Sequence, residues 1–121
     1  MSAFAQLREM APQQIWERIA ARSVNGERIT LAVVELDPGA VVAEHSHEHE
    51  QLGIVLRGTM DFRVGDERRQ FRPGGTWRIA SNTPHEATAG PHGAVVIDVF
   101  APVREDWGEL DSLERAPRWP G

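Results

Sequence analysis

Turn-forming residues cut this chain at short intervals, and that spacing limits its fold more than any other feature. Asn25-Gly26, Asp37-Pro38-Gly39, Gly58, Gly65-Asp66, Pro73-Gly74-Gly75, Pro84 and Gly90-Pro91-His92-Gly93 leave only brief segments between them. Those segments are rich in Val, Ile, Leu and Thr. In one, Met60, Phe62 and Val64 share a face, because side chains on a strand alternate with period 2. No helical pattern of useful length sits between them, which disfavours a parallel α/β sheet with its crossover helices. Short strands broken by turns about every eight to twelve residues predict an all-β barrel or sandwich.

The spacing predicts strands over 14–24, 28–36, 40–47, 51–57, 59–64, 67–71, 76–80, 85–89 and 94–101. Asn25-Gly26 predicts a tight type I′ hairpin, whose two central positions need positive φ. Residues 2–11 predict a short helix with Phe4, Leu7, Met10 and Ala11 on one side, ended by Pro12. The tail from Arg104 is charged. Either Trp107, Leu110 and Leu113 pack back on the barrel, or the tail is loosely attached. A length of 121 residues suits a single domain, 1–121, with its barrel over about 14–103.

Composition narrows the function classes. The net charge of -5 argues against a nucleic-acid binder, which needs a basic face. There is no cysteine, so disulfides and thiolate metal sites are excluded. No run approaches about eighteen apolar residues, and the N-terminus lacks a basic region followed by an apolar one. A soluble, cytoplasmic protein without membrane partners is expected. All thirteen basic residues are arginine, so guanidinium is the sole fixed cation for gripping carboxylates.

Three of the five histidines lie together in His45-Ser46-His47-Glu48-His49. On a strand, His45 and His47 stand on one face and can address one ion. Neutral imidazole is the commonest nitrogen donor for transition metals. Gly39, His45, His47, Gln51 and Gly58, followed by the Pro73-Gly74 turn and Pro84-His85, resemble the two signature motifs of the cupin superfamily. Gln51 stands where most cupins carry Glu, and Gly75 where Asp is usual. The resemblance implies a cupin-type double-stranded β-helix, a jelly-roll barrel of two antiparallel sheets. It also implies a divalent metal held by His45, His47, Gln51 and His85. The alternative is that these histidines only satisfy hydrogen bonds in a polar barrel mouth.

His49 falls in the turn and is expected to be exposed. His92 is expected to be structural or solvated. Glu44, Glu48 and Glu50 are expected on an acidic rim, with Glu50 a rival to Gln51 as ligand. A Gln in place of Glu leaves the ion one more unit of net charge. It should bind less tightly but polarise oxygens more strongly. Zn, Ni, Mn, Co and Fe(II) all accept His-rich sites.

The stretch from His45 to Gly58 and the segment Val96-Ile-Asp98-Val-Phe100-Ala-Pro102-Val-Arg104-Glu-Asp106-Trp107 resemble a narrower group, the small single-domain cupins of the KdgF kind. That resemblance spans about Trp16 to Trp107. It implies ring opening of a cyclic 4,5-unsaturated uronate to its linear keto form, with functional residues at Asp98, Phe100 and Arg104. The residues are compatible with this. Asp98 lies in an apolar strand, where a carboxylate needs a reason, and a structural salt bridge or turn-capping contact is the other explanation. Phe100 shares its face, or is simply core; Arg104 follows the strand end at Pro102, or is simply a surface residue paired with Glu105 or Asp106.

Two other functions stay open: a cupin dioxygenase, and a non-catalytic cupin that senses or stores a small ligand. A homodimer is expected. If Gln51 and Asp98 face inward, then Leu52, Ile54, Leu56, Ile97 and Val99 face outward, and strands apolar on both faces need cover on both.

Overall fold

The computed structural model describes residues 2–114 and 117–120. Eight strands account for most of them: β1 (Gln13–Trp16), β2 (Ile19–Asn25), β3 (Thr30–Leu36), β4 (Val41–His45), β5 (Glu50–Val64), β6 (Glu67–Phe71), β7 (Thr76–Ile79) and β8 (His85–Ala101). All pairings between them are antiparallel.

Two long strands, β5 and β8, run through both layers of the barrel. In the first layer, residues 50–58 of β5 pair with residues 94–101 of β8. β7 flanks β5 there, and β3, β2 and β1 extend the sheet beyond β8. In the second layer, residues 60–64 pair with residues 85–89, with β6 outside β5 and β4 outside β8. This is the two-sheet antiparallel jelly roll expected from the sequence.

The glycine breaks at 58 and 90–93 turn out to be bends within strands. Register shifts fall between Val55 and Arg57 and between Gly58 and Met60. A bulge bends a strand without ending its ladder, so the four segments expected here join into two. Gly58 and Gly93 both have positive φ, 75° and 76°. A Cβ on Gly58 would stand 2.0 Å from the Gly93 carbonyl oxygen.

Other local expectations also changed. The segment 14–24 is two strands, because Arg18 takes φ 66° and folds β1 back on β2. The N-terminal helix reduces to a 3-10 turn over Leu7–Glu9, with no side-chain cap and no buried residue to hold a longer one. Asn25-Gly26 does open a hairpin, but through the four-residue loop 26–29. The Gly26 N–H donates to the Ile29 carbonyl at 2.7 Å, and the Thr30 hydroxyl donates to Asn25 Oδ1 at 2.7 Å. The Asn25 side chain thus braces the loop base. Gly65-Asp66 is the tight turn expected, with Gly65 at φ 57°.

The tail is bound to the barrel. Trp107 is buried within a 3-10 turn over Glu105–Glu109. Gln14 N–H donates to the Asp111 carbonyl at 3.0 Å, and Leu113 N–H to that of Pro12 at 2.7 Å. Farther out, a buried ion pair gathers both chain ends. Arg22 contacts Glu35 at 2.9 Å and donates to the carbonyls of Leu7 and Trp119. Glu35 Oε1 accepts the Arg118 N–H at 2.8 Å.

Breaking a buried pair from one side strands a charge and costs about 3–5 kcal/mol. Glu35→Ala should therefore lower unfolding stability by about that amount in urea titration. Glu67→Ala, at an exposed pair 3.9 Å apart, should stay within about 0.5 kcal/mol. A Glu35→Ala cost no larger than that of Glu67→Ala contradicts this account of the ends.

Candidate metal centre and active site

His45 and His85 are cross-strand partners on β4 and β8, so the sheet itself brings them together. Their ring centroids are 4.3 Å apart. His47 lies just beyond β4, in a loop held by the turn that precedes β8. Asn82 N–H donates to the His47 carbonyl at 2.7 Å, and the Ser81 hydroxyl to the Glu48 carbonyl at 2.6 Å. The His47 ring is then 5.5 Å from His45 and 4.9 Å from His85. One ring nitrogen from each of the three lies within 4.8 Å of the others.

The orientation of the rings fits a metal. In each, Nδ1 is within 2.8–2.9 Å of a backbone carbonyl: that of Ala43 for His45, His49 for His47 and Thr83 for His85. A carbonyl can only accept, so Nδ1 carries the proton and Nε2 keeps its lone pair. Metal-binding imidazoles are commonly held this way. His47 Nε2 is buried without a hydrogen-bond partner, an unpaired acceptor that a cation would satisfy. Burial lowers the pKa of His85 to about 4, helped by its neighbours His45 and His47. Burial and then the Arg104 charge also lower that of His47. Both rings are neutral donors at neutral pH, as ligation requires.

Gln51 and Glu50 separate cleanly. Gln51 is buried and lines the same cavity as the three histidines, whereas Glu50 is exposed. Gln51 Nε2 donates to Asp98 Oδ1 at 2.8 Å. The donor end of the amide is thus spent on Asp98, and Oε1 is the end a cation can use. Glu44 and Glu48 are exposed as expected, and so is His92.

Asp98 forms no ion pair among the described residues. Its Oδ1 accepts from Gln51 and, at 2.9 Å, from the Trp77 indole. Burial raises its pKa to about 6, against the opposing pull of those two hydrogen bonds and Arg104. A carboxyl poised near neutrality in a cavity can both take and give a proton. The salt-bridge explanation for Asp98 is thereby set aside.

Phe100 is buried, 5.9 Å from the His47 ring and 5.1 Å from Trp107. Arg104 rests on both aromatics, at 4.7 Å from Phe100 and 4.6 Å from Trp107. Its Nε and Nη2 donate to the two oxygens of Asp106 at 3.1 and 2.9 Å. One fork of the guanidinium is committed to Asp106, and among the described residues the end-on N–H groups of Nη1 and Nη2 have no partner.

The cavity has a volume of about 240 Å³. Trp16 also lines it, with its ring 5.1 Å from His45. Trp16, Trp77 and Asp106 were not legible as site residues: each belongs to the cavity only through strand pairing or tail docking. His49 departs from its expected exposure. It is half-buried, with its ring 6.4 Å from Phe100 and a buried, unpartnered Nδ1. The alternation of β4 carries on into the turn, and a longer period-2 reading would have found it.

A model of the cupin domain matches residues 32–100, which include every one of these ligand candidates and Asp98. The chain belongs to the cupin family. Within it, the chain is 28% identical over 80 residues to the pectin degradation protein KdgF of Dickeya dadantii (strain 3937), covering 65% of this chain and 73% of that protein. Among solved structures, KdgF from Halomonas sp. superposes with a TM-score of 0.80 at 30% identity, over 88% of this chain and 98% of that one. An RmlC-like cupin from Shewanella frigidimarina superposes with a TM-score of 0.81 at 22% identity, over 88% and 96%. The latter likeness concerns the fold alone.

Elemental analysis of purified protein should find about one divalent transition-metal ion per chain. His85→Ala should lose most of it, whereas Glu50→Gln should keep it. Full metal retention by His85→Ala contradicts the centre drawn here.

Proposed function

We propose that this cupin is a metal-dependent enzyme that opens the ring of a 4,5-unsaturated uronate to its linear keto form. The observation that carries the proposal is Asp98. A buried, cavity-facing carboxyl that forms no ion pair among the described residues is bonded directly to Gln51, the expected metal ligand. The likeness to two proteins named KdgF supports the substrate class.

A bound divalent ion at His45, His47, Gln51 and His85 would supply Lewis acidity toward substrate oxygens. The rest falls to the chain. Arg104 grips the substrate carboxylate through its end-on nitrogens. Phe100 walls the cavity and excludes bulk water. Asp98 moves the proton. The reaction is an isomerisation: the hemiacetal hydroxyl gives up its proton, the ring C–O bond breaks to leave an aldehyde and an enol, and protonation of the alkene carbon gives the ketone. No atom is gained or lost, so no oxidant is required. A cytoplasmic setting is part of the same proposal.

The same reading includes a homodimer. Val24 pairs with Leu31, Leu31 with Val99 and Val99 with Leu52, giving one apolar row across the outer face of the first layer. Val24, Leu31 and Leu52 are 44–49% exposed. Arg22 and Val33 beside this row are buried, with Arg22 bonded to both chain ends, but the row itself is open. A second copy laid across it would supply the cover.

A general acid–base group contributes about 10²–10⁴-fold. Asp98→Asn should therefore lose at least about a hundredfold in turnover of the unsaturated uronate, followed by loss of its conjugated absorbance, with metal content unchanged. Arg104→Ala should chiefly raise KM. Parent-like turnover by Asp98→Asn would remove Asp98 from the mechanism. A parent inactive on all unsaturated uronates would remove the substrate. Light scattering at micromolar concentration should give a dimer, and Leu52→Arg a monomer. A monomeric parent contradicts the assembly.

A further inference from the structure

Trp77, Gly53 and Asp98 lie on one rung of the first layer. Gly53 of β5 is the cross-strand partner of Trp77 on β7 and of Asp98 on β8. Adjacent strands are about 4.8 Å apart, so the outer two residues stand roughly twice that from each other. The indole closes the distance by lying across the glycine. A Cβ at Gly53 would come within 2.1 Å of Trp77 Cε2 and Nε1. Phe62 stacks on the same indole at 4.8 Å, with 29° between planes, and Phe71 packs at 6.0 Å. The ring therefore has little freedom to turn its N–H elsewhere.

That N–H ends on Asp98 Oδ1, the same oxygen that accepts from Gln51. Among the described residues nothing donates to Oδ2. A carboxylate has two equivalent oxygens and a soft terminal torsion. Two donors on one oxygen remove that equivalence. An indole nitrogen can only donate, so it never competes for the proton that Asp98 is to move.

We infer that Trp77 is a positioning residue for Asp98, fixing Oδ1 and leaving Oδ2 as the oxygen that meets substrate, with Gly53 as the gap that lets it reach. The inference rests on the reading of Asp98 as the proton-transfer group. It adds the outer partner that holds that group and, through the shared oxygen, also holds the Gln51 amide with Oε1 toward the metal position.

The test combines spectroscopy with a double-mutant cycle. In a ¹H–¹⁵N spectrum, the Trp77 indole signal is assigned by its loss in Trp77→Phe. It should exchange slowly with solvent in the parent and shift, with faster exchange, in Asp98→Ala. Trp77→Phe should lower kcat by roughly 10–100-fold, the range for one hydrogen bond to a charged group, with KM and metal content kept. Placed on Asp98→Asn, the same change should cost almost nothing more, because the group it positions is gone. Gly53→Ala, which displaces the ring, should reproduce the kcat loss.

An equal kcat loss in the parent and Asp98→Asn backgrounds would overturn the inference, marking Trp77 as packing alone. So would an indole signal that ignores Asp98→Ala. Should Trp77→Phe fail to fold, benzothienylalanine at position 77 keeps the bicyclic shape without the N–H and is expected to show the same kcat loss. If the parent proves inactive on uronates, the substrate reading falls, and the indole signal still decides whether Trp77 holds Asp98.

Discussion

The close contact of two backbones at Gly58 and Gly93 is the constraint on which the architecture depends. Neither position has room for a side chain, and both take a φ that L residues avoid. With this contact, β5 and β8 bend and serve both layers. Without it, each would have to end, and the two layers would need separate strands. The bend also places the site. It lets one stretch of β8 present His85 beside His45 while the other presents Asp98 and Phe100 beside Gln51.

The chemistry follows from how each polar group is spent. The three imidazoles give Nδ1 to backbone carbonyls, Gln51 gives its N–H to Asp98, and Arg104 gives one fork to Asp106. Among the described residues, what remains for the cavity is a set of lone pairs, one unbonded carboxylate oxygen and half a guanidinium. Such a set suits a cation and an oxygen-rich anion together. Burial then tunes it, holding His85 neutral and raising Asp98 toward neutrality. The sandwich of Arg104 against Phe100 and Trp107 shows why the tail is bound: Trp107 packs against both the guanidinium and the cavity wall.

Much of this was legible in the sequence because it repeats local rules. His45 and His47 follow from period 2, Gly65-Asp66 from turn chemistry, and Asp98 from the oddity of a carboxylate in an apolar run. The choice of Gln51 over Glu50 needed the structure, because a turn separates them from His47 and breaks the count of alternation. The joined strands at Gly58 and Gly93 were not legible, since a glycine that bends a strand and one that ends it look alike in sequence. Trp77 was hidden for a different reason. Its role depends on what does not stand at Gly53, one strand away, and no local pattern records that. The tail was ambiguous because Trp107, Leu110 and Leu113 alone do not reveal the backbone bonds to Pro12 and Gln14 that fasten it.

The central claim is that three histidines and one amide form a single metal centre joined to Asp98 through Gln51. X-ray absorption at the edge of the bound metal tests it most directly. The account predicts a first shell with three imidazole nitrogens and at least one oxygen, at about 2.0–2.3 Å. In Gln51→Ala the imidazole scattering should persist while the oxygen shell changes. A first shell with fewer than two imidazoles, or one unaltered by Gln51→Ala, would contradict it.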